Sequence, residues 1–122
     1  MNPEKIVLDF MAAWNRRDLD AAFAMMADDI AWHNIPMEPA VGIEACKALM
    51  ASFPPADAID FDTHHISSNG NVVMTERTDG FLIGGTWRKI RLMGIFEINP
   101  DGKIGKWRDY FDMAEFQREF AG

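Results

Sequence analysis

The apolar positions change their period near the middle of the chain. From Asn2 onward, Ile6, Val7, Phe10, Met11 and Trp14 recur three and four residues apart, the spacing of one helix face. Asn2 suits a helix cap and Pro3 a first turn, and Asn15, Arg16 and Arg17 end the apolar stripe. Asp18 is placed to cap a second, short helix with Leu19, Phe23 and Met26 along one side. A brief strand over 30–34 follows, then a loop imposed by Pro36 and Pro39. Gly42 precedes a third helix over 43–53, which Pro54 and Pro55 stop. Beyond that point the period falls to two. Strands are predicted over 60–67, 72–82, 87–98 and 104–112, separated by Ser68-Asn69-Gly70-Asn71, Gly84-Gly85 and Asn99-Pro100-Asp101-Gly102. A helix over 114–120 closes the chain. Helices followed by an antiparallel meander predict an α+β domain, with a pocket where a curved sheet wraps a helix.

Bulk properties narrow the picture. The 122 residues, 48% hydrophobic and 25% charged, suit one globular domain spanning 1–122. The net charge of −7 and the lack of any Lys/Arg block argue against a nucleic-acid partner. Cys46 has no partner for an internal disulfide. The first residues lack a signal-peptide pattern, and no apolar run approaches the roughly 20 residues of a membrane span. The expectation is a cytoplasmic protein.

The chemistry lies inside the strands. Side chains alternate faces, so Val73, Thr75, Arg77, Asp79 and Phe81 share one side of their strand. Trp107, Asp109 and Phe111 share a side of the last strand, and Ile90, Leu92 and Phe96 share one between them, where Gly94 leaves room. A carboxylate among aromatics is costly to bury as an anion. Arg77 is the evident partner, since an arginine can fork two carboxylates. Two carboxylates around one arginine can share a proton, leaving one basic and one acidic, the equipment for opening a strained ring with water. Alternation alone does not say which face is inside. An Arg-x-Asp pair on a strand is commonly a solvated ion pair, and Asp109 could instead pair with Arg88 or Arg91.

Three segments, WHNIPMEPAVG at 32–42, VMTERTDGF at 73–81 and GKWRDYFDMAEF at 105–116, with Ser-Ser-Asn-Gly at 67–70 in register between the first two, resemble the limonene-1,2-epoxide hydrolase family. The similarity runs from about Asp29 to the C-terminus. It implies a cone-shaped fold, also that of ketosteroid isomerase and scytalone dehydratase, with a curved mixed sheet and helices closing a deep apolar pocket. It further implies that Asp109 deprotonates the attacking water, Asp79 protonates the epoxide oxygen, Arg77 bridges the two and Asn34 holds the water. The implied reaction takes one step on a small apolar epoxide and needs no metal or other cofactor. One position departs: the family's well-known members carry a water-holding tyrosine where this chain has Trp32. An indole N–H only donates. Water would then accept from Trp32 and give its protons to Asp109 and the Asn34 oxygen. Phe81, Ile90, Leu92 and Phe111 match family pocket positions, and Phe53 and Ile59 join them as candidates. The resemblance also implies a homodimer, for which Val72, Met74, Met93 and Ile95 on the second sheet face are the candidate contacts.

Other residues are set aside by phase. His33 and Tyr110 alternate away from the pocket. His64 and His65, adjacent on a strand, are expected on opposite faces and so do not share a metal. Cys46 within a helix reads as a small core residue. No G-x-S-x-G elbow occurs, which excludes the covalent route of the large hydrolases. Met25, Met26, Met37, Met50 and Met93 read as core filler, a few lining the pocket. Two rival functions use the same residues: an isomerase or cyclase with an aspartate as carbon-acid base, and a non-catalytic domain binding a small apolar ligand.

Overall fold

The computed structural model describes residues 1–120. Its elements are α1 (Pro3–Asn15), α2 (Leu19–Ala24), β1 (Met26–Asn34), β2 (Ala40–Val41), α3 (Ile43–Ala51), β3 (Ala58–Asn69), β4 (Val72–Ile83), β5 (Thr86–Ile98), β6 (Ile104–Tyr110) and α4 (Met113–Phe120). One six-stranded sheet runs in the order β2-β1-β6-β5-β4-β3. All neighbours are antiparallel except β1 and β6, which pair in parallel, so this curved sheet is mixed.

The helix caps follow the sequence. Asn2 Oδ1 accepts from the Lys5 amide and Asp18 Oδ1 from the Ala21 amide, each satisfying a donor that the first helical turn leaves free. Helix α1 buries Val7, Phe10, Met11, Ala13 and Trp14. Its Phe10 ring meets Trp107 edge-on at 5.1 Å and Phe96 at 6.2 Å, which seats the helix on the inner sheet face.

Several boundaries differ from the sequence reading. Strand β1 begins at Met26, where it joins Ile104 of β6. The proline loop holds the two-residue strand β2, paired to Ala31 and Trp32. Helix α3 stops at Ala51, before Phe53. Strand β6 ends at Tyr110, and Asp112 instead takes the Ala114 amide at the start of α4. A bulge between Thr63 and His65 in the β3–β4 ladder breaks strict alternation. Both His64 and His65 are therefore exposed: His64 contacts Thr78 Oγ1, and His65 lies 3.9 Å from Glu76. Among the described residues, no helix is long and apolar enough to cross a membrane.

Candidate active site

Strand β4 supplies the centre of the site. Val73, Thr75, Arg77 and Asp79 all point inward and are buried. Asp109 on β6 is buried beside them, with Arg77, Asp79 and Asp109 exposing 1%, 4% and 3% of their surface. Arg77 Nε and Nη2 donate to Asp79 Oδ1 and Oδ2 at 3.0 and 2.9 Å, and the same Nη2 donates to Asp109 Oδ2 at 3.1 Å. Nη1 donates to Thr75 Oγ1 at 2.9 Å, and that hydroxyl donates to the Gly94 carbonyl. The Phe61 and Phe96 rings lie 5.9 and 5.7 Å from the guanidinium carbon, within cation–π range. The alternative partners are engaged elsewhere: Arg91 pairs with Glu115, and Arg88 Nη1 donates to the Glu119 carbonyl.

Asp109 has a second donor. Trp107 Nε1 donates to its Oδ1 at 2.8 Å, so each oxygen of this carboxylate is held by a different residue. Gly94 makes the assembly possible: a methyl group on its Cα would overlap the Arg77 guanidinium and the Asp109 carboxylate.

Burial separates the charges' behaviour. For Asp79, removal from water raises the pKa, and the Arg77 charge and hydrogen bonds reverse this only in part. Asp109 and Asp60 push it up further, to about 6. For Arg77, burial pulls downward, but Asp109 and Asp79 outweigh it and hold the guanidinium charged. Below about pH 6 Asp79 therefore holds its proton beside Arg77.

Asp79 and Asp109 open onto a cavity of about 550 Å³, within the usual range of ligand pockets, about 300–1,000 Å³. Asn34, Trp32, Phe53, Phe81, Ile90, Leu92 and Phe111, all singled out from the sequence, line it. The β1–β6 ladder sets Asn34 directly beside Asp109. Ile59 does not line the cavity: it lies in the hydrophobic core, and Phe61, two residues on, reaches the wall instead. Trp32 faces the cavity with its ring, but its Nε1 is sealed from solvent and has no hydrogen-bond partner among the described residues. The expected water contact would require that nitrogen to be reachable from the cavity. Sequence reasoning also passed over Met37 as a specific wall residue, and Phe116 and Phe120 of α4, whose stacked rings close one side. Their spacing of four on an amphipathic helix was the available signal. Neither His33, which contacts the Met37 carbonyl, nor Tyr110, half-exposed on the other face, lines the cavity. Among the described residues, no cluster of three or more His, Cys, Asp or Glu could hold a metal ion.

A curved mixed sheet carrying an acid–arginine–acid cluster inside an apolar cavity defines a class of small α+β pocket proteins equipped for acid–base chemistry. The model of the limonene-1,2-epoxide hydrolase catalytic domain matches residues 1–121, N-terminal helices included, and the chain belongs to that family. It is similar to epoxide hydrolase EphG of Mycobacterium tuberculosis (strain ATCC 25618 / H37Rv), with 32% identity over 106 residues, 87% of this chain and 70% of the relative. Among solved structures it is similar to an M. tuberculosis epoxide hydrolase of the same type, with a TM-score of 0.84, 28% identity, and coverage of 98% of this chain and 89% of the other. The epoxide hydrolase/cyclase-like enzyme SalBIII, of pyran ring formation in the polyether salinomycin, shares the fold: TM-score 0.82, 22% identity, 93% of this chain and 92% of that one.

Proposed function

We propose that this protein adds water to a small apolar epoxide in one step, giving a vicinal diol. The observation that carries the proposal is the buried Asp79–Arg77–Asp109 cluster opening on an apolar cavity. Asn34 beside Asp109 and the family membership add support. Asp109, ionised, takes a proton from a water that Asn34 helps to hold. The water oxygen bonds to an epoxide carbon as the carbon–oxygen bond breaks, and protonated Asp79 delivers its proton to the leaving oxygen. Arg77 stays charged throughout and keeps the two carboxylates at fixed distance. After the step Asp109 carries the proton and Asp79 does not. The site resets by proton transfer as the diol leaves. In a water-poor cavity both hydrogen bonds gain strength over their values in bulk solvent.

Turnover of a panel of terpene and styrene-type epoxides tests this. Asp109→Asn and Asp79→Asn should each lose at least roughly 10²–10⁴-fold in kcat, the usual worth of one acid–base role. Full activity in either variant would end the proposal.

A specific observation also favours a second reading. A carboxyl with a pKa near 6 beside another carboxylate suits an isomerase or cyclase, with Asp109 as carbon-acid base and Asp79 as donor to the enolate oxygen. Deuterium uptake into a ketone without diol formation distinguishes it. A passive apolar binding domain is disfavoured, because three buried charges do little for it. We also infer a homodimer through the outer sheet face, where Met74, Met93 and Tyr110 are exposed.

A further inference from the structure

The parallel pairing of β1 and β6 sets Trp32 opposite Trp107 as it sets Asn34 opposite Asp109. The two indoles stack at 4.7 Å with 4° between their planes. On the β5 side of Trp107 lies Phe96, its ring 5.7 Å away at 21°, and Phe10 meets Trp107 edge-on at 5.1 Å. Trp107 is therefore fixed between rings of both neighbouring strands and a helix. Its one polar atom donates to Asp109 Oδ1. The Trp32 nitrogen, in contrast, is buried and unpartnered.

We propose that Trp32 is a positioning residue, whose ring clamps Trp107 so that the Trp107 N–H stays on Asp109, and that it does not hold the attacking water. The proposal deepens the hydrolase reading and rests on it for its kinetic consequence. With Oδ1 held by Trp107 and Oδ2 by Arg77, the Asp109 carboxylate cannot turn about its axis without breaking a hydrogen bond. Its remaining lone pairs then face the cavity in one orientation, and misplacement of a reacting group by about 1 Å costs on the order of 10²-fold in rate. The stack depends on an aromatic ring at position 32 and makes no use of the indole N–H. Water is left to Asn34 and Asp109.

Two measurements on the intact chain test the assignment. The first needs no substrate: solvent exchange of the Trp107 indole proton, identified by its loss in Trp107→Phe. Exchange in Trp32→Phe should stay within about twofold of wild type, and in Trp32→Leu it should be about tenfold faster or more, because only the latter removes the stack. The second is turnover of an epoxide. Because the Trp32 ring also forms part of the cavity wall, KM is free to move in both variants and kcat alone is compared: Trp32→Leu should fall about tenfold or more below Trp32→Phe. In a Trp107→Phe background, Trp32→Leu should cost less than about twofold, since residues acting through one partner are not additive. Trp32→Met serves the same comparisons should the leucine variant fail to fold. Equal kcat losses in Trp32→Phe and Trp32→Leu would overturn the proposal, since the N–H itself would then be in use. So would an undiminished loss in the Trp107→Phe background, or unchanged exchange in Trp32→Leu. A wild-type protein that opens no epoxide overturns the hydrolase reading, and the exchange measurement still decides the clamp.

Discussion

Arg77 Nη2 donates to both carboxylates, so Asp79 and Asp109 meet through a single nitrogen. With both acids ionised the buried cluster would carry a net negative charge among Phe61, Phe96 and Trp107, which burial disfavours. Retaining one proton removes that charge, and Asp79 is the group whose pKa rises, to about 6. The sign of the pH dependence follows. The folded protein binds this proton more tightly than the unfolded chain, so the contribution to stability is fully present below the ordinary value of 3.8. It is lost as pH rises through about 6. The stability of Asp79→Asn relative to wild type should therefore increase between pH 4 and 6 and level off above, as denaturant melts at a series of pH values would show. On the kinetic side, kcat/KM should fall above pH 6 as the acid ionises. Strand parity put Arg77 beside Asp79 and set Asp109 between aromatics, and the family resemblance, not parity, joined the three into one site. Neither gave the Trp107 N–H on Asp109 or the sealed Trp32 nitrogen, because both depend on rotamers set by neighbouring strands.

Among the elements, the β4–β5–β6 meander was readable from its period and its turn residues. Gly70 at φ 62° and the Gly84-Gly85 pair at 58° and 81° occupy the left-handed conformations that such turns require. The parallel pairing of β1 with β6 was not readable, since nothing local in either strand states which distant strand lies beside it. Yet the repeated Trp-x-Asn and Trp-x-Asp strings, at 32–34 and 107–109, are the mark it leaves: in-register tryptophans, then Asn34 beside Asp109. The bulge at Thr63–His65 likewise escaped, because alternation assumes no inserted residue. Strand β5 carries a prediction of its own. Gly94→Ala should displace Arg77 or Asp109 and lower kcat by about tenfold or more. It should also cost about 1–3 kcal/mol in stability, the usual penalty of overpacking. Thermal melts and turnover measured on the same sample check both.

For the whole molecule, the two sheet faces differ: the inner one carries the cavity, and the outer one is where the proposed dimer contact would lie. The inner face packs α1 on one part and forms the cavity with Phe53 and the α4 rings on another. The outer face leaves Met74 and Met93 at 38% and 50% exposure, apolar surface that a second copy would cover. Sedimentation should find a dimer, and Met74→Lys/Met93→Lys together should shift it to monomer. A wild-type monomer at micromolar concentration would remove the dimer from the account. Hydrophobic pattern gave the helices and the antiparallel meander, and the family resemblance supplied Phe81, Ile90, Leu92 and Phe111 of the cavity wall, while Ile59 failed because burial in the core and exposure to the cavity look alike in a sequence. The central claim is that a water activated by Asp109 attacks the epoxide directly while Asp79 supplies the proton. A single turnover in ¹⁸O-water, with excess enzyme over epoxide, tests it most directly. The account predicts one labelled oxygen in the diol and none in the protein. Label appearing in the peptide that carries Asp79 or Asp109, with unlabelled diol, would contradict it.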